Sequence, residues 1–233
     1  MDGNEPLIIT QDSIIIDPKY KDKSKAGSVV MHSCELSLMK AMADLTCRNG
    51  GHILEIGFGL GISASYIQQN NIESHTIIEV HPEIYERACR WADKQSTPVH
   101  VYLGDWVDVL PTLDEKFDGI FHDTHLDNQV HKFLPTVANN CRPNTIVVFF
   151  SHFFLLDVPR YEELVKKGKL SYRQFNDCLK NTESFSIQKH IFTEEELVEL
   201  QKPSTYSFVL DDDGKFDMYY TVYDGNKFTK DII

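Results

Sequence analysis

The 233 residues are enough for one α/β domain with a substantial core, and the 42% apolar and 25% charged shares are those of a globular chain. The net charge of −12, from 23 basic and 35 acidic residues, speaks against a polyanionic partner such as nucleic acid and suits a small cationic one. Five cysteines (Cys34, Cys47, Cys89, Cys141 and Cys178) show no paired spacing, so a disulfide framework or zinc site is not expected and a reducing, cytoplasmic setting is. The first residues are acidic and polar rather than those of a signal peptide, and no apolar run nears the ~20 residues of a membrane span.

In chain order, residues 1–30 read as an arm: short β-like runs at Leu7–Thr10 and Ile14–Ile16, then a charged loop from Pro18 to Lys25. Its position suits a lid. A helix is expected over Cys34–Arg48, with Leu36, Met39, Met42, Ala43 and Leu45 inward and Asn49-Gly50-Gly51 as its stop. From His52 strands and helices alternate. Strands are expected at His52–Ile56, Thr76–Val80, Val99–Leu103, Gly119–His122 and Thr145–Phe150, and helices near Gly61–Gln69, Pro82–Lys94, Trp106–Leu110 and Asn128–Asn140. Continuous apolar strands alternating with helices predict a parallel sheet covered on both faces. Further on, helical turns are expected at Val158–Lys167, Ser171–Asn181 and Glu194–Gln201. Tyr206–Leu210 and Phe216–Val222 read as an antiparallel hairpin around Asp211-Asp212-Asp213-Gly214.

The most informative stretch is Ile53–Gly61, ILEIGFGLG. A buried strand breaks into a turn where Gly57, Gly59 and Gly61 supply backbone freedom and let a ligand approach the main chain. The helix that follows aims free N–H groups at that ligand. Glu55 would repel a phosphate and welcome a ligand carrying an ammonium and a sulfonium, which is the pattern of S-adenosylmethionine-dependent methyltransferases. A nicotinamide-dependent oxidoreductase is disfavoured by Glu55 and by Ile62 where GxGxxG needs its last glycine. Glu79 ends the second strand, placed to take both hydroxyls of a ribose. Asp105 follows the third, where it either accepts from an adenine amino group, with Trp106 flanking the ring, or caps a helix. Asp123 ends the fourth strand, as a grip for a cationic nucleophile or as one more solvated acid.

Together these pieces resemble the guanidinoacetate N-methyltransferases and the related Nδ-arginine methyltransferases. The resemblance covers roughly Gly27–Phe150, and more faintly Tyr219-Tyr220. It is carried by Val30-Met31 with Glu35 and Met39, by GGHILEIGFGLGISAS, by the IIE ending at Glu79, by Trp91-Ala92, Leu110-Pro111-Thr112-Leu113, Phe117–Ile120 and Asp123-Thr124. It implies a single Rossmann-like methyltransferase domain over residues 31–233, with a mostly parallel seven-stranded sheet and an antiparallel C-terminal hairpin. It implies S-adenosylmethionine as cofactor, held by Glu55, the three glycines, Glu79, Asp105, Trp106, Met31 and Met39. It implies that Glu35 and Asp123 bind a guanidinium and serve catalysis, while His125 and the backbone carbonyls near His152 and Phe153 complete the acceptor site.

Two carboxylates suit that acceptor, because a guanidinium is planar, cationic and matched to bidentate contact. The same chemistry on an arginine side chain, free or in a protein, is the close alternative. A scaffold with another acceptor, or a non-catalytic homologue, is kept open by departures from the family. These are Cys34 where an aromatic residue usually precedes the glutamate, His122 and His125 around Asp123, Asn144-Thr145 before the fifth strand, and the segment Leu155–Ser204. His122, His125, His131 and His152 fall near Asp123, but neighbours on a strand point opposite ways, and no metal is expected.

Overall fold

The computed structural model describes residues 3–125 and 133–149 together with three later strands, Phe185–Lys189, Phe216–Tyr223 and Phe228–Thr229. The first three strands, β1 (Leu7–Ile9), β2 (Ser13–Ile16) and β3 (Val29–His32), make a small antiparallel sheet in that order. Alternation along β2 buries Ile14 and Ile16 completely, and Ile14 packs with Phe58, Ile77, Ile84 and Ala88. The N-terminal segment is therefore docked by a hydrophobic face. β3 spans the boundary expected at residue 30, and its four residues between turns are too short for alternation to reveal.

A 3₁₀ turn, Ser33–Glu35, opens the helix expected from Cys34, and α1 proper is Leu36–Thr46. Met39, Met42, Ala43 and Leu45 are buried as expected, with Leu38 beside them, whereas Leu36, expected inward, is exposed in the first turn of the helix. Gly50 and Gly51 follow with φ of 65° and 75°, left-handed values that stop the helix. Then come β4 (His52–Ile56), α2 (Ile62–Ile67), β5 (Ser74–Glu79), α3 (Pro82–Ala92), β6 (Val99–Leu103), α4 (Trp106–Val109), β7 (Phe117–His122), α5 (Phe133–Val137) and β8 (Cys141–Phe149). The strands expected at His52–Ile56 and Val99–Leu103 are present with those bounds and the other alternating elements with shifted ends, the start of the helix expected from Asn128 lying outside the described residues. Helix α4 is short because Pro111 follows it, inside a 3₁₀ turn at Leu110–Thr112.

β8, β7, β4, β5 and β6 lie side by side and parallel. Strand faces alternate strictly. Ile53, Phe121, Ile146 and Val148 face the layer that holds α1. Leu54, Ile56, Ile120 and Val147 face the layer of Trp106, Phe133 and Val137. β10 (Phe216–Tyr223) adds to β8 antiparallel, and both β9 (Phe185–Lys189), which is parallel, and β11 (Phe228–Thr229) pair with β10. The sheet thus has eight described strands where seven were expected, because β9 and β11 both join β10. The hairpin turn at Asp211–Gly214, its partner Tyr206–Leu210 and the expected helical turns between Val158 and Gln201 lie outside the described residues. No described helix is long and apolar enough to cross a membrane.

Chain order along the sheet runs outward from β4 to β5 and β6, then returns to the other side of β4 with β7. In such sheets the crevice opens at the carboxyl ends of the strands where this reversal occurs, here β4 and β7. Gly119 of β7 seats α1, since a Cβ there would collide with the Thr46 carbonyl and press on Ile53. Gly119→Ala is expected to cost about 1–3 kcal/mol by overpacking. A denaturant midpoint equal to that of the parent would contradict this seating.

Candidate active site

β4 ends in the turn Gly57–Gly61, where φ is 91° at Gly57, 53° at Gly59 and 75° at Gly61. These left-handed angles explain the three glycines on their own. Their missing side chains also admit protein atoms. A Cβ on Gly57 would strike the Asp123 carbonyl, one on Gly59 would lie 2.6 Å from Met31 Sδ, and one on Gly61 2.7 Å from the Phe58 ring. The Leu60 N–H donates to Met31 Sδ at 3.2 Å. Met31 therefore sits against the turn, while Met39 is fully enclosed among α1 core residues beneath it.

Glu79, at the end of β5, holds the turn from the other side. Its Oε2 accepts from the Phe58 N–H at 2.9 Å and its Oε1 from the His81 N–H at 2.8 Å. Burial raises its pKa, and these backbone bonds oppose that rise. Each oxygen keeps a lone pair for a further donor such as a hydroxyl. Glu55 is fully enclosed under the turn, its Oε1 accepting from the Ser63 hydroxyl.

Asp105 caps α4, accepting from the Val107 N–H at 3.0 Å, so the helix-cap role is realised. Trp106 is buried, edge-on to Phe133 and His122 at centroid distances of 5.7 and 5.6 Å, within the second core layer rather than at the crevice surface.

Two further carboxyl groups, Glu35 and Asp123, lie close enough for the charge of one to act on the other. Glu35, in the 3₁₀ turn before α1, accepts from the His32 N–H at 3.0 Å. Burial, and then the charge of Asp123, push its pKa up to about 8. Asp123 follows β7, its N–H donating to the Ile56 carbonyl at 3.1 Å. Burial, and then the charge of Glu55, push it up to about 7. Two half-buried acids that each hold a proton into the neutral range make a site prepared for a cation. His125 lies nearby with its pKa lowered to about 4, chiefly by burial, and is a neutral imidazole at physiological pH. His152, Phe153 and His131 lie outside the described residues.

The sequence reading missed how the N-terminal segment meets these strand ends. The Glu5 carbonyl accepts from His81 Nε2 at 2.9 Å, and the Glu5 carboxylate accepts from Lys25 Nζ at 2.9 Å. A Cβ on Gly3 would come within 2.5 Å of the Val80 carbonyl. Charges on Glu5 and Lys25 also reach His125. Nothing in the composition of residues 3–25 marks these contacts.

Five parallel strands in this order, with a glycine turn and acids at successive strand ends, define a Rossmann-like methyltransferase fold. A profile of the family described as guanidinoacetate N-methyltransferase matches residues 16–147, more than half of the chain, and the chain belongs to that family. Among curated relatives, the Protein arginine N-methyltransferase 2 of Yarrowia lipolytica is 32% identical over 158 residues, covering 64% of this chain and 31% of that protein. The protein of the same name from Saccharomyces cerevisiae is 30% identical over 125 residues, covering 50% of this chain and 30% of that one. The chain spans about a third of the length of the curated relatives it matches. Among solved structures, an O-methyltransferase from Bacillus cereus in complex with SAH aligns at a TM-score of 0.46 and 18% identity, over 80% of this chain and 78% of that one.

The donor set fits S-adenosylmethionine. Glu79 and Glu55 set carboxyl groups against a turn too tight for side chains, which matches a cationic ligand and opposes a pyrophosphate.

Proposed function

We propose that this chain transfers a methyl group from S-adenosylmethionine to a guanidino nitrogen of a small molecule, guanidinoacetate or a relative. The observation that supports it best is the meeting of Glu35 and Asp123 beside the glycine turn, each holding its proton well above the usual carboxylate range. When bound, S-adenosylmethionine supplies an electrophilic methyl group on a positively charged sulfur. The turn Gly57–Gly61, Met31 and Glu79 would hold it, with Glu55 acting by its charge from beneath and Asp105 from the α4 cap. Met39 supports Met31 from the core, and Trp106 fixes the start of α4.

Glu35 and Asp123 take opposite edges of the guanidinium and offset its charge. Without them, a second cation ~4 Å from the first would cost about 4 kcal/mol at an effective dielectric of ~20. A protonated guanidinium offers no lone pair, so the proton leaving the reacting nitrogen passes to an Asp123 carboxylate oxygen. Neutral His125 lines the site without adding a third positive charge. Residues 3–32, docked across the strand ends, must open for ligands to exchange. The free cysteines Cys47, Cys89 and Cys141 suit a reducing, cytoplasmic setting.

The names of the fungal relatives favour a second reading, methylation of arginine. S-adenosylhomocysteine release with guanidinoacetate, arginine, an arginine-containing peptide and simple amines in parallel separates the two. Turnover on a free guanidine but not on the peptide is expected. Turnover on the amines alone would remove the role given to the paired acids.

A further inference from the structure

Beneath the glycine turn lies a polar cluster around Glu55, two of whose members, Ser63 and His75, have no part in the proposed chemistry. Glu55 of β4 is fully buried, and its two oxygens look toward different elements. Oε1 accepts from the hydroxyl of Ser63, in the first turn of α2. Oε2 lies 3.1 Å from Nε2 of His75 on β5, and that ring is also fully enclosed. The His75 ring stands edge-on to Trp91 of α3 at 6.2 Å, and neither ring nitrogen, nor Glu55 Oε2, makes a hydrogen bond among the described residues.

The placement is informative. Glu55 stands two residues before Gly57, and Ser63 two residues after Gly61, so their hydrogen bond closes the base of the loop that contains the whole glycine turn. His75 belongs to the strand next to β4, in register with it, and its ring lies against the other oxygen of the same carboxylate at 3.1 Å without a hydrogen bond of good geometry. Glu79 on that strand pins the tip of the loop through the Phe58 N–H. The turn is therefore tied at its base and at its tip to one strand, β5. A buried carboxylate is held by its partners or it moves, and here movement would spread the two ends of the turn.

We infer that Ser63 and His75 are positioning residues for the cofactor turn, acting through Glu55 to keep its two ends closed. This rests on the reading that the turn holds S-adenosylmethionine. Neither residue reaches the acceptor carboxylates, so their loss falls on cofactor affinity rather than on the chemical step.

The test compares Ser63→Ala with Ser63→Thr, which keeps the hydroxyl, and His75→Leu with His75→Gln, which keeps a donor near the position of Nε2. Calorimetric titration with S-adenosylhomocysteine reads affinity, and the melting temperature of the ligand-free protein reads general stability. Ser63→Ala leaves Glu55 Oε1 unmatched and His75→Leu removes the polar contact on Oε2, and each is expected to weaken S-adenosylhomocysteine binding about tenfold or more. The KM for S-adenosylmethionine should rise in step while kcat and the acceptor KM stay near those of the parent. Ser63→Thr and His75→Gln should recover most of the affinity. Unchanged affinity in Ser63→Ala and His75→Leu overturns the inference. So does a loss that follows the melting temperature and is not recovered by the conservative variants. If the parent itself fails to bind S-adenosylhomocysteine, the cofactor assignment falls instead. If it binds but turns over no guanidine, only the acceptor assignment falls, and the affinity comparison stands.

Discussion

Asp123→Asn is expected to lower turnover on a guanidine about 10³-fold, the loss typical when a positioned proton acceptor is removed. Asn keeps the shape and the backbone of Asp123, including the carbonyl against which Gly57 packs and the N–H bonded to Ile56. The crevice therefore keeps its form while one negative charge and one proton acceptor are lost. Affinity for S-adenosylhomocysteine should stay within about threefold, since the proposed role of Asp123 is toward the acceptor and it makes none of the hydrogen bonds that hold the glycine turn to Glu79. Initial rates of S-adenosylhomocysteine release and a calorimetric titration check the two halves separately. A large fall in cofactor affinity would move Asp123 from acceptor binding to support of the glycine turn.

The second large effect is a dependence on pH that reverses when the acceptor binds. Glu35 holds its proton to about 8 and Asp123 to about 7 in the folded chain, against ordinary values of 4.5 and 3.8. A carboxyl raised in this way keeps a proton that the unfolded chain has already released. Its contribution is fully present below the ordinary value and is lost as pH rises through the folded value. For this pair the window runs from about pH 4 to about pH 8, and the two protons leave as a coupled set. Buried, neutral His125 contributes in the opposite sense, losing stability at low pH, so parent and variant must be compared at each pH.

Glu35→Gln is expected to raise the melting temperature of the ligand-free protein at pH 8.5 by roughly 2–8 °C, for a gain of about 1–2 kcal/mol. At pH 5.5 it should change little. Added guanidine should stabilise the parent more at pH 8.5 than at pH 5.5, and Glu35→Gln much less at either. The kcat/KM for the acceptor should climb with pH along a limb centred between about 7 and 8. A melting-temperature difference between parent and Glu35→Gln that is the same at both pH values would show that the pair is not held protonated in the ligand-free site.

Much of this was legible in the chain before its structure. Continuous apolar runs at Ile53–Ile56 and Gly119–His122 placed the strands, and the apolar spacing from Leu36 to Leu45 placed α1, though Leu36 itself is exposed. The acids at the ends of β4, β5 and β7 followed from the strand ends themselves. Other features were illegible for physical reasons. Whether Asp105 caps a helix or meets a ligand depends on which N–H lies nearest, and spacing alone cannot order them. Trp106 was read as a crevice residue because it follows Asp105, yet the α4 turn carries its indole inward to His122 and Phe133. β3 is too short to announce itself, and β9 owes its place to pairing with a distant strand. The bond from His81 to the Glu5 carbonyl uses a backbone acceptor, which no residue pattern encodes.

The seating of α1 on Gly119 sets the tolerance of the acceptor site. Glu35 stands at the entrance to that helix and Asp123 at the exit of the strand beneath it, and backbone meets backbone where the two cross. Thr46 closes the far end of α1 and Glu35 opens it, so the seating on Gly119 fixes the course of the helix that leads back to Glu35. Variation at Cys34, His122 or His125 can alter which body hangs from the captured group. On the proposed function, a head held between Glu35 and Asp123 would be flat, with donors on two edges.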